Sequence, residues 1–384
     1  MKGETDFVPK KVPVSDPPPG TPEDNSSPSV DFGPRSVHGP KAGDKLRIAM
    51  ISYYLPSDSK MGVGYQVHDL ASEIARRGHH IDVFSECPPV SDAIYGHFHV
   101  KVPGRLRTFR FALALRKIDF STYDVIHAHG DDYWLWRRRA RRHIRTINGS
   151  CFEEARRITG LKERLRMILL GLTEVLASVV ADHSVAISPE TLRWYPWVRD
   201  VIPCGVDLHQ FKPSSNGRAE HPVVLFVGTW NGRKRGKELV RQFLETVRSR
   251  VPNAELWMVS RDVPSPQPEG IRVLGALSDD ELAEAYRKAW VFCLPSDYEG
   301  FGIPYIEAMA SGTPVVATPN VGARFVTDNG KAGLLAPLPE IGHSLVTLLD
   351  DVHRRQQLAR TGLARVAEFD IRTVIDRYLA DYRA

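Results

Sequence analysis

The chain has 384 residues, of which 42% are hydrophobic and 25% charged, and its formal net charge is +5. This length and composition indicate a globular protein with two domains of about 150–200 residues and exclude a wholly disordered chain. The mild positive charge permits anionic ligands but gives no argument by itself for binding nucleic acid.

The four cysteines are scattered along the chain, without a Cys-x-x-Cys pair and without the spacing of a zinc site. Free thiols of this kind are typical of a reducing cytoplasm. The amino terminus lacks the apolar core of a signal peptide, and no apolar run reaches the ~18 residues that a bilayer span requires. We therefore predict a cytoplasmic protein.

The first 44 residues are rich in proline, serine, glycine and charge, and Pro17, Pro18 and Pro19 stand in a row. Such a segment cannot bury enough apolar surface to offset the entropy of ordering it. Residues 1–44 are predicted to form a disordered tail.

Regular structure is predicted to begin with the strand-length apolar run at residues 46–53 (LRIAMISY). A glycine loop follows, then helical periodicity over residues 65–77 with Gly78 as a suitable C-cap, then a strand at 80–85 (HIDVFS). Strand, glycine loop, helix and strand make a βαβ unit of a parallel sheet. Further strands are predicted at 124–128, 185–188 and 201–203.

The same pattern restarts at the apolar strand 223–228 (VVLFVG), which a basic loop and a helix at 237–251 follow. A helix at 278–289 opens with Ser278 and Glu281 at capping-box spacing. Further strands are predicted at 255–260, 271–274, 291–294 and 315–317, and a further helix at 304–310.

Two successive halves of this kind predict an α/β protein with two doubly wound, Rossmann-like domains facing across a cleft. Such domains bind ligands beyond the carboxyl ends of their strands. The predicted divisions are the tail at 1–44, a first domain at 45–205, a second domain at 206–360 and a carboxy-terminal helix at 361–384.

Two glutamates eight positions apart stand in the most informative stretch, residues 294–314 (LPSDYEGFGIPYIEAMASGTP). Glu299 lies in a loop with Gly300 and Gly302, and Glu307 is placed in the first turn of a helix opened by Pro304. A glycine loop that leads into a helix exposes backbone N–H groups to phosphates or sugar hydroxyls. Two acids alone are more simply explained as an ordinary loop acid and a helix-start acid.

The whole stretch resembles the Glu-x7-Glu signature of family 4 retaining glycosyltransferases, which have the GT-B fold. The resemblance extends over residues 45–384 and includes the segments 61–85 (MGVGYQVHDLASEIARRGHHIDVFS), 123–130 (YDVIHAHG) and 202–213 (IPCGVDLHQFKP). It implies that Glu299 lies by the donor sugar with the backbone N–H groups of Phe301, Gly302 and Ile303. It further implies that Glu307 holds the nucleotide ribose, that the Gly62 loop approaches the phosphates, and that no metal is required. The carboxy-terminal helix is then expected to pack back on the first domain.

A cluster of three cations, Arg233, Lys234 and Arg235, follows the strand that ends at Gly228. Fixed cations stabilise the charge that develops on a departing diphosphate. The family carries an Arg and a Lys for the pyrophosphate in this part of the second domain. The family's Arg usually comes directly after the strand glycine, where this chain has Thr229, so the sequence leaves open which two of the three cations contact phosphate.

The first domain departs from the family pattern at two positions. Asn148, in the segment 145–150 (RTINGS), stands where many relatives have a histidine near the anomeric carbon, and Cys204 stands where an asparagine is common. Asparagine can bond a sugar hydroxyl but cannot accept a proton, so it is no general base. We place Asn148 on the acceptor side and expect His129 to line the active site.

Other chemical patterns in the sequence are less favoured. Gly62 and Gly64 suggest a dinucleotide fingerprint, but Val67 replaces its third glycine. His127, His129, Asp131 and Asp132 resemble a metal site, yet ordinary cleft polarity explains them better. The apolar helix at 164–180 is too short to span a membrane and is predicted to be core.

Arginines between residues 137 and 145 follow Trp134 and Trp136, and the basic segment 101–117 contains Phe109, Phe111 and Leu113. This pattern fits stacking on nucleic acid or docking on anionic lipid, and a solvated helix face with core aromatics explains it slightly better. The membrane hypothesis is that this face contacts a membrane that carries a lipid acceptor.

The predicted function is transfer of a sugar from a nucleotide-diphosphate sugar, of UDP or GDP type, to a small-molecule or lipid-linked acceptor with retention of configuration. No cofactor, metal or nucleic acid is expected to take part. The rivals are a GT-B epimerase or phosphorylase, and a non-catalytic nucleotide-sugar-binding protein. Catalytic roles are predicted for Glu299, Arg233, Arg235 and His129, and donor binding for Gly62, Lys234, Phe301, Gly302, Ile303 and Glu307. Glu307→Ala is expected to weaken donor binding, and Arg235→Ala mainly to lower turnover.

Overall fold

Two parallel β-sheets organise the chain. The structure is a computed structural model and describes residues 44–56, 62–104, 106–136, 140–158, 160–214 and 217–384. Apart from Asp44, the predicted disordered tail lies outside the described residues, as do the arginines 137–139.

The first sheet contains seven strands among the described residues, in the order β3-β2-β1-β4-β5-β6-β7, and every adjacent pair is parallel. Its strands are β1 (Arg47–Ile51), β2 (His80–Ser85), β3 (Gly96–His99), β4 (Val125–Ala128), β5 (Arg142–Ile147), β6 (His183–Ala186) and β7 (Asp200–Val201). The helices of this half are α1 (Gly62–Arg76), α2 (Arg107–Leu115), α3 (Cys151–Arg157) and α4 (Leu161–Val180).

The second sheet repeats the same winding in the order β10-β9-β8-β11-β12-β13, again with parallel pairs. Its strands are β8 (Val223–Val227), β9 (Glu255–Val259), β10 (Ile271–Val273), β11 (Val291–Leu294), β12 (Val315–Ala317) and β13 (Leu334–Leu335). A helix runs from α5 (Gly236–Gln242) through a π-helical turn into α6 (Arg248–Arg250). The remaining helices are α7 (Asp279–Lys288), α8 (Ile303–Ala310), α9 (Val321–Val326), α10 (Ile341–Asp350), α11 (Val352–Val366) and α12 (Ile371–Arg383).

The central strands are apolar because both faces of each sheet are covered. Ile48 lies opposite Ile81 and Val125 in the first sheet, and Val224 lies opposite Leu256 and Val291 in the second. All of these side chains are almost fully buried. Continuous Val, Ile and Leu runs of this kind are what a parallel sheet requires, and the two sheets confirm the two predicted Rossmann-like domains.

The chain crosses between the two halves twice, and the two crossing segments touch. Val206 N–H donates to Phe369 O over 2.8 Å, and Ile371 N–H donates to Val206 O over 3.0 Å. Beyond this bridge, α12 buries Ile375, Tyr378 and neighbouring side chains in the core of the first sheet. The carboxy terminus is therefore part of the amino-terminal half in space.

Two interpretations of the sequence are wrong. Residues 142–147 are not a solvated helix face but the buried strand β5, in which the Arg145 guanidinium pairs with the Asp132 carboxylate inside the protein. The helix predicted to be core, α4, exposes a row of leucines. In addition, α8 begins at Ile303, which places Glu307 in its second turn rather than its first.

Gly205 is expected to be intolerant of any side chain, because a Cβ there would lie 2.8 Å from Ile371 Cα. Gly205→Ala should destabilise the protein by about 1–3 kcal/mol, since overpacking forces the crossing segments apart. Gly160→Ala is the control, because nothing lies within 4 Å of a Cβ at that position, and it should cost less than about 1 kcal/mol. Thermal unfolding of both variants decides this; equal shifts would contradict the packing explanation.

Candidate active site

Three loops meet at the carboxyl edge of the second sheet. They follow β8, β11 and β12, and these strands are neighbours in the sheet. The sheet winds in opposite directions from the junction between β8 and β11, and such a junction leaves a crevice where α/β proteins bind ligands. The predicted cations and both predicted glutamates lie on or next to these loops.

The Glu299 carboxylate is buried and held by two cations. Lys234 Nζ lies 2.9 Å from Glu299 Oε1, and Arg233 Nη1 lies 3.2 Å from Glu299 Oε2. The Ser296 hydroxyl donates to Oε1 over 2.6 Å. Burial acts to raise the pKa of Glu299, but Lys234 and Arg233 outweigh it and hold the pKa below its ordinary value. Glu299 is therefore an ionised hydrogen-bond acceptor near neutral pH.

The basic loop turns sharply, so its cations face two different acids. Gly232–Lys234 form a 3-10 turn, and Arg235 follows in the left-handed region at φ 58°. Arg235 donates to Asp297 Oδ1 over 2.8 Å, whereas Arg233 and Lys234 face Glu299. The loop is fastened at its base, because Asp297 N–H donates to Arg233 O over 2.8 Å. The structure thus brings two of the three predicted cations to Glu299 and places the third beside it.

The segment after Glu299 leads directly into the N-terminus of α8. Gly302 adopts φ 97°, in the left-handed region that favours glycine, and a Cβ there would collide with the Tyr305 ring. Both facts require glycine at this position. The Phe301 ring packs between Phe325 and Phe369 in the core, so its backbone is fixed. The N–H groups that begin a helix lack intrahelical partners and bear partial positive charge.

The second glutamate, Glu307, lies on α8 facing α7. The Tyr286 hydroxyl donates to Glu307 Oε2 over 2.8 Å. Burial raises the pKa of Glu307 to about 7, although the Tyr286 hydrogen bond acts in the opposite direction. The two glutamates therefore differ: Glu299 is ionised, and Glu307 changes its charge near neutral pH.

The amino-terminal half contacts this site from the other side of the crevice. A Cβ at Gly62, the first residue of α1, would lie 3.7 Å from Ile303 Cδ1. A Cβ at Gly300 would lie 3.0 Å from Asn148 O, so the loop that carries Asn148 abuts the Glu299 loop. Arg157 on α3 donates to Asp297 O over 2.9 Å. These contacts place Gly62 and Asn148 beside the predicted donor residues.

His129 follows β4 and is held as a neutral imidazole. Burial and the nearby Arg145 lower the pKa of His129 to about 3. Its two ring nitrogens are buried and form no hydrogen bond within the described residues. The ring lines a cavity of about 20 Å³ together with Asn148, Gln66 and Cys204, enough for about one water molecule. A histidine with this pKa is a weak base.

His127, within β4, and Asp132, after it, bind other protein side chains. His127 Nδ1 lies 2.6 Å from the Tyr382 hydroxyl, and Asp132 binds His143 and Arg145. Within the part of the chain that the structure describes, no three or more His, Cys, Asp or Glu side chains are arranged to hold a metal ion.

Sequence reasoning missed several residues that support the site. Asn320 donates to Ser296 O over 3.1 Å, and its side chain caps α9 by accepting from Ala323 N–H. Gly322 N–H in turn donates to Glu299 O over 2.9 Å. Residues 318–320 directly follow β12, so the rule that ligands bind beyond strand ends could have found Asn320.

Comparisons with known proteins agree with this geometry. Residues 61–210 match the family model described as Glycosyltransferase Family 4, and residues 221–351 match the model described as Glycosyl transferases group 1. Each model thus covers one of the two halves of the chain.

Curated proteins of similar length match most of the chain. A phosphatidyl-myo-inositol mannosyltransferase of Mycobacterium tuberculosis is 26% identical over 371 residues, with 88% of this chain and 96% of that protein covered. A D-inositol 3-phosphate glycosyltransferase of Segniliparus rotundus is also 26% identical, with 88% and 89% covered.

Solved structures share the fold. A sucrose-phosphate synthase of Thermosynechococcus elongatus superposes with a TM-score of 0.73 at 24% identity, covering 88% of this chain and 98% of that one. HepE of Anabaena, solved with UDP-glucose, has a TM-score of 0.70 at 17% identity, with 88% and 100% covered. With two matched family models, two Rossmann-like halves and the paired glutamates at their junction, the chain is a glycosyltransferase of the GT-B fold and belongs to glycosyltransferase family 4.

Proposed function

We propose that this enzyme moves a sugar from a nucleotide-diphosphate sugar, of UDP or GDP type, onto an acceptor hydroxyl with retention of anomeric configuration. The observation that carries the proposal is the buried Glu299 carboxylate between Arg233 and Lys234, next to the N-terminus of α8. Such a site offers a fixed acceptor for sugar hydroxyls beside fixed positive charge for a diphosphate. The enzyme needs no metal in this proposal, because the two cations and the helix terminus supply the charge.

Each residue then has one role in the reaction. Glu307 accepts hydrogen bonds from the ribose hydroxyls, and Glu299 orients the donor sugar with the backbone N–H groups of Phe301 to Ile303. Arg233 and Lys234 stabilise the diphosphate as the glycosidic bond breaks. Gly62 lets the N-terminus of α1 approach the same phosphates.

The acceptor proton is best taken by the departing phosphate oxygen on the same face of the sugar. The low pKa of His129 makes it a poor proton acceptor, and Asn148 cannot accept a proton. Glu299 is engaged by Lys234, Arg233 and Ser296 and is not free to attack the anomeric carbon. We therefore assign His129 and Asn148 to positioning sugar or acceptor hydroxyls by hydrogen bonds.

The acceptor is proposed to be a small or lipid-linked alcohol, reached from the cytoplasm with peripheral membrane contact. Two observations support the lipid-linked form: the relative from Mycobacterium tuberculosis is named for phosphatidyl-myo-inositol, and the amino-terminal half exposes an apolar surface. Among the described residues, no helix is both long and apolar enough to cross a bilayer.

A thermal-shift screen with UDP, GDP, ADP, CMP and dTDP sugars tests the donor. The true donor at 100 times its dissociation constant should stabilise the protein by about 2.7 kcal/mol. NMR of the products then gives the anomeric configuration. Slow donor hydrolysis without acceptor distinguishes a transferase from a non-catalytic binding protein, and product formation that requires inorganic phosphate, or no acceptor at all, would favour a phosphorylase or an epimerase.

Replacement of adjacent arginines separates the roles of the basic loop. Arg233→Gln should lower kcat about 100-fold, because one fixed charge on the leaving diphosphate is lost. Arg235→Gln should lower it less than about tenfold, because Arg235 binds Asp297 rather than the site. Steady-state kinetics with the identified donor measure both.

Unfolding temperatures of the two variants control for damage to the fold. Since the Arg233 side chain is 52% exposed, its loss leaves no cavity. An equal loss of turnover in Arg235→Gln would support the catalytic role that the sequence alone suggests for Arg235.

The pKa of Glu307 predicts a pH-dependent donor affinity. Below about pH 7 the carboxyl is protonated and loses acceptor capacity for the ribose diol, so affinity should fall as the pH falls. A nucleotide sugar is the suitable probe, because its two phosphates keep a constant charge in this range. Titration calorimetry on wild type and Glu307→Gln measures it: the variant should bind weakly with little pH dependence, and an unchanged pH profile would refute the assignment.

A further inference from the structure

The longest helix of the amino-terminal half, α4, exposes a continuous apolar stripe. Its members recur at intervals of three and four residues, which places them on one face. They are between 42% and 72% exposed: Leu161, Leu165, Leu169, Leu172, Leu176 and Val179. Isolated exposed leucines are ordinary, but a contiguous row along a helix marks a surface that binds something.

The opposite face of α4 is already used by the fold, so the stripe is not a misplaced core face. Met167, Gly171 and Ala177 are buried against the protein. Glu174 accepts from Cys151 N–H over 3.0 Å and from the Tyr195 hydroxyl over 2.7 Å. The helix is thus fixed in rotation, and the leucine face points outward.

Neighbouring residues widen the apolar face. Trp197, 46% exposed, donates from Nε1 to Ser178 Oγ over 3.0 Å, beside the carboxyl end of α4. Ala177 clusters with Ala112 of α2, and the next residue of α2, Leu113, is 51% exposed. A tryptophan that combines a wide ring with one polar N–H is suited to the boundary between water and an apolar phase.

Cations border this face. Lys162, Arg164 and Arg166 are exposed in the first two turns of α4, where the helix dipole disfavours positive charge. Glu163 forms an ion pair with Arg166 over 2.9 Å. Further exposed cations lie on α2 and in the turn that follows it: Arg110, Arg116 and Lys117. Arg107, at the start of α2, is already paired with Glu86. An anionic surface would complement these exposed cations.

We propose that the exposed face of α4, together with α2, binds the surface of an anionic membrane, with α4 lying in the plane of the interface. Leucines would enter the acyl boundary while the bordering lysines and arginines contact lipid phosphates. A second copy of this chain fits less well, because pairing through this face would bring the cations against one another or against uncharged residues.

The surface also lies next to the active site. Phe152 of α3 packs on Gly171 of α4, and Arg157 at the other end of α3 donates to Asp297 O in the Glu299 loop. A membrane on α4 would therefore hold the crevice near lipid headgroups. The inference rests on the proposed function only in making a lipid-linked acceptor accessible; the binding itself does not depend on sugar transfer.

Flotation of the full chain with vesicles tests the surface. Wild type should float with phosphatidylcholine vesicles that contain phosphatidylglycerol, less with phosphatidylcholine alone, and less at high salt. The triple variant Leu169→Gln, Leu172→Gln, Leu176→Gln should lose at least about tenfold in partitioning, because three apolar side chains are removed from the interface. Lys162→Glu with Arg164→Glu should weaken the preference for anionic lipid, because two of the bordering cations become acids.

The matched control is Val273→Gln with Val352→Gln, at positions 41% and 44% exposed in the other half of the chain, and it should bind vesicles like wild type. Equal flotation of the triple variant, or no flotation of wild type, would overturn the proposal. So would a wild-type dimer, measured by light scattering, that the triple variant abolishes without any vesicle binding. Thermal shifts by nucleotide sugars in the same variants separate this outcome from a failure of the proposed function, because donor binding does not involve α4.

Discussion

The candidate active site is organised around one buried carboxylate. An ionised glutamate inside a protein is tolerated only when opposite charges and hydrogen bonds replace its lost hydration. Glu299 receives these from Lys234, Arg233 and Ser296. Because the cations come from the loop after β8 and the acid from the loop after β11, the two loops must lie together, and their meeting defines the crevice. The charges that would hold a sugar diphosphate are thus in place before any ligand arrives.

Tight backbone contacts preserve this arrangement. Gly322 allows the N-terminus of α9 to reach Glu299 O, since a Cβ there would lie 2.6 Å from the carbonyl carbon of Phe301. Across the molecule, the Gln66 side-chain N–H donates to Gly205 O over 3.0 Å, and the Gly205 N–H donates to Gln66 Oε1 over 3.2 Å. Gln66 lies on α1 close to Gly62, so the helix that faces the candidate site is fastened to the crossing between the halves. The hydrogen bonds of Gln66 therefore link the crossing at Gly205 to the helix beside the candidate site.

The two halves divide the chemistry between them. The second half holds the groups suited to a nucleotide sugar, which are the same kinds of group that parallel-sheet proteins use for phosphates generally. The first half contributes a neutral histidine, an asparagine and the outward face of α4, all of which concern the acceptor side in our proposal. Members of the family with 26% identity differ in the acceptors for which they are named, and in this chain Asn148 and the α4 stripe lie in the first half.

The sequence by itself determined the two doubly wound halves, since runs such as 223–228 and 291–294 are apolar over nearly their whole length. Its resemblance to family 4, rather than the spacing of two acids, pointed to Glu299, Glu307 and the basic loop as candidate site residues. The sequence did not reveal the buried strand β5, because an arginine such as Arg145 is expected in solvent unless an acid such as Asp132 pairs with it. It failed at α4, because an apolar periodic helix reads the same whether its leucines face a core or the outside. Only the tertiary structure decided that Arg233 and Lys234, rather than Arg235, face Glu299, since the choice depends on a left-handed turn at Arg235 and on where Asp297 lies. Local patterns carry the period of each element, whereas the pairing of charges and the outward face of a helix depend on neighbours far away in the chain.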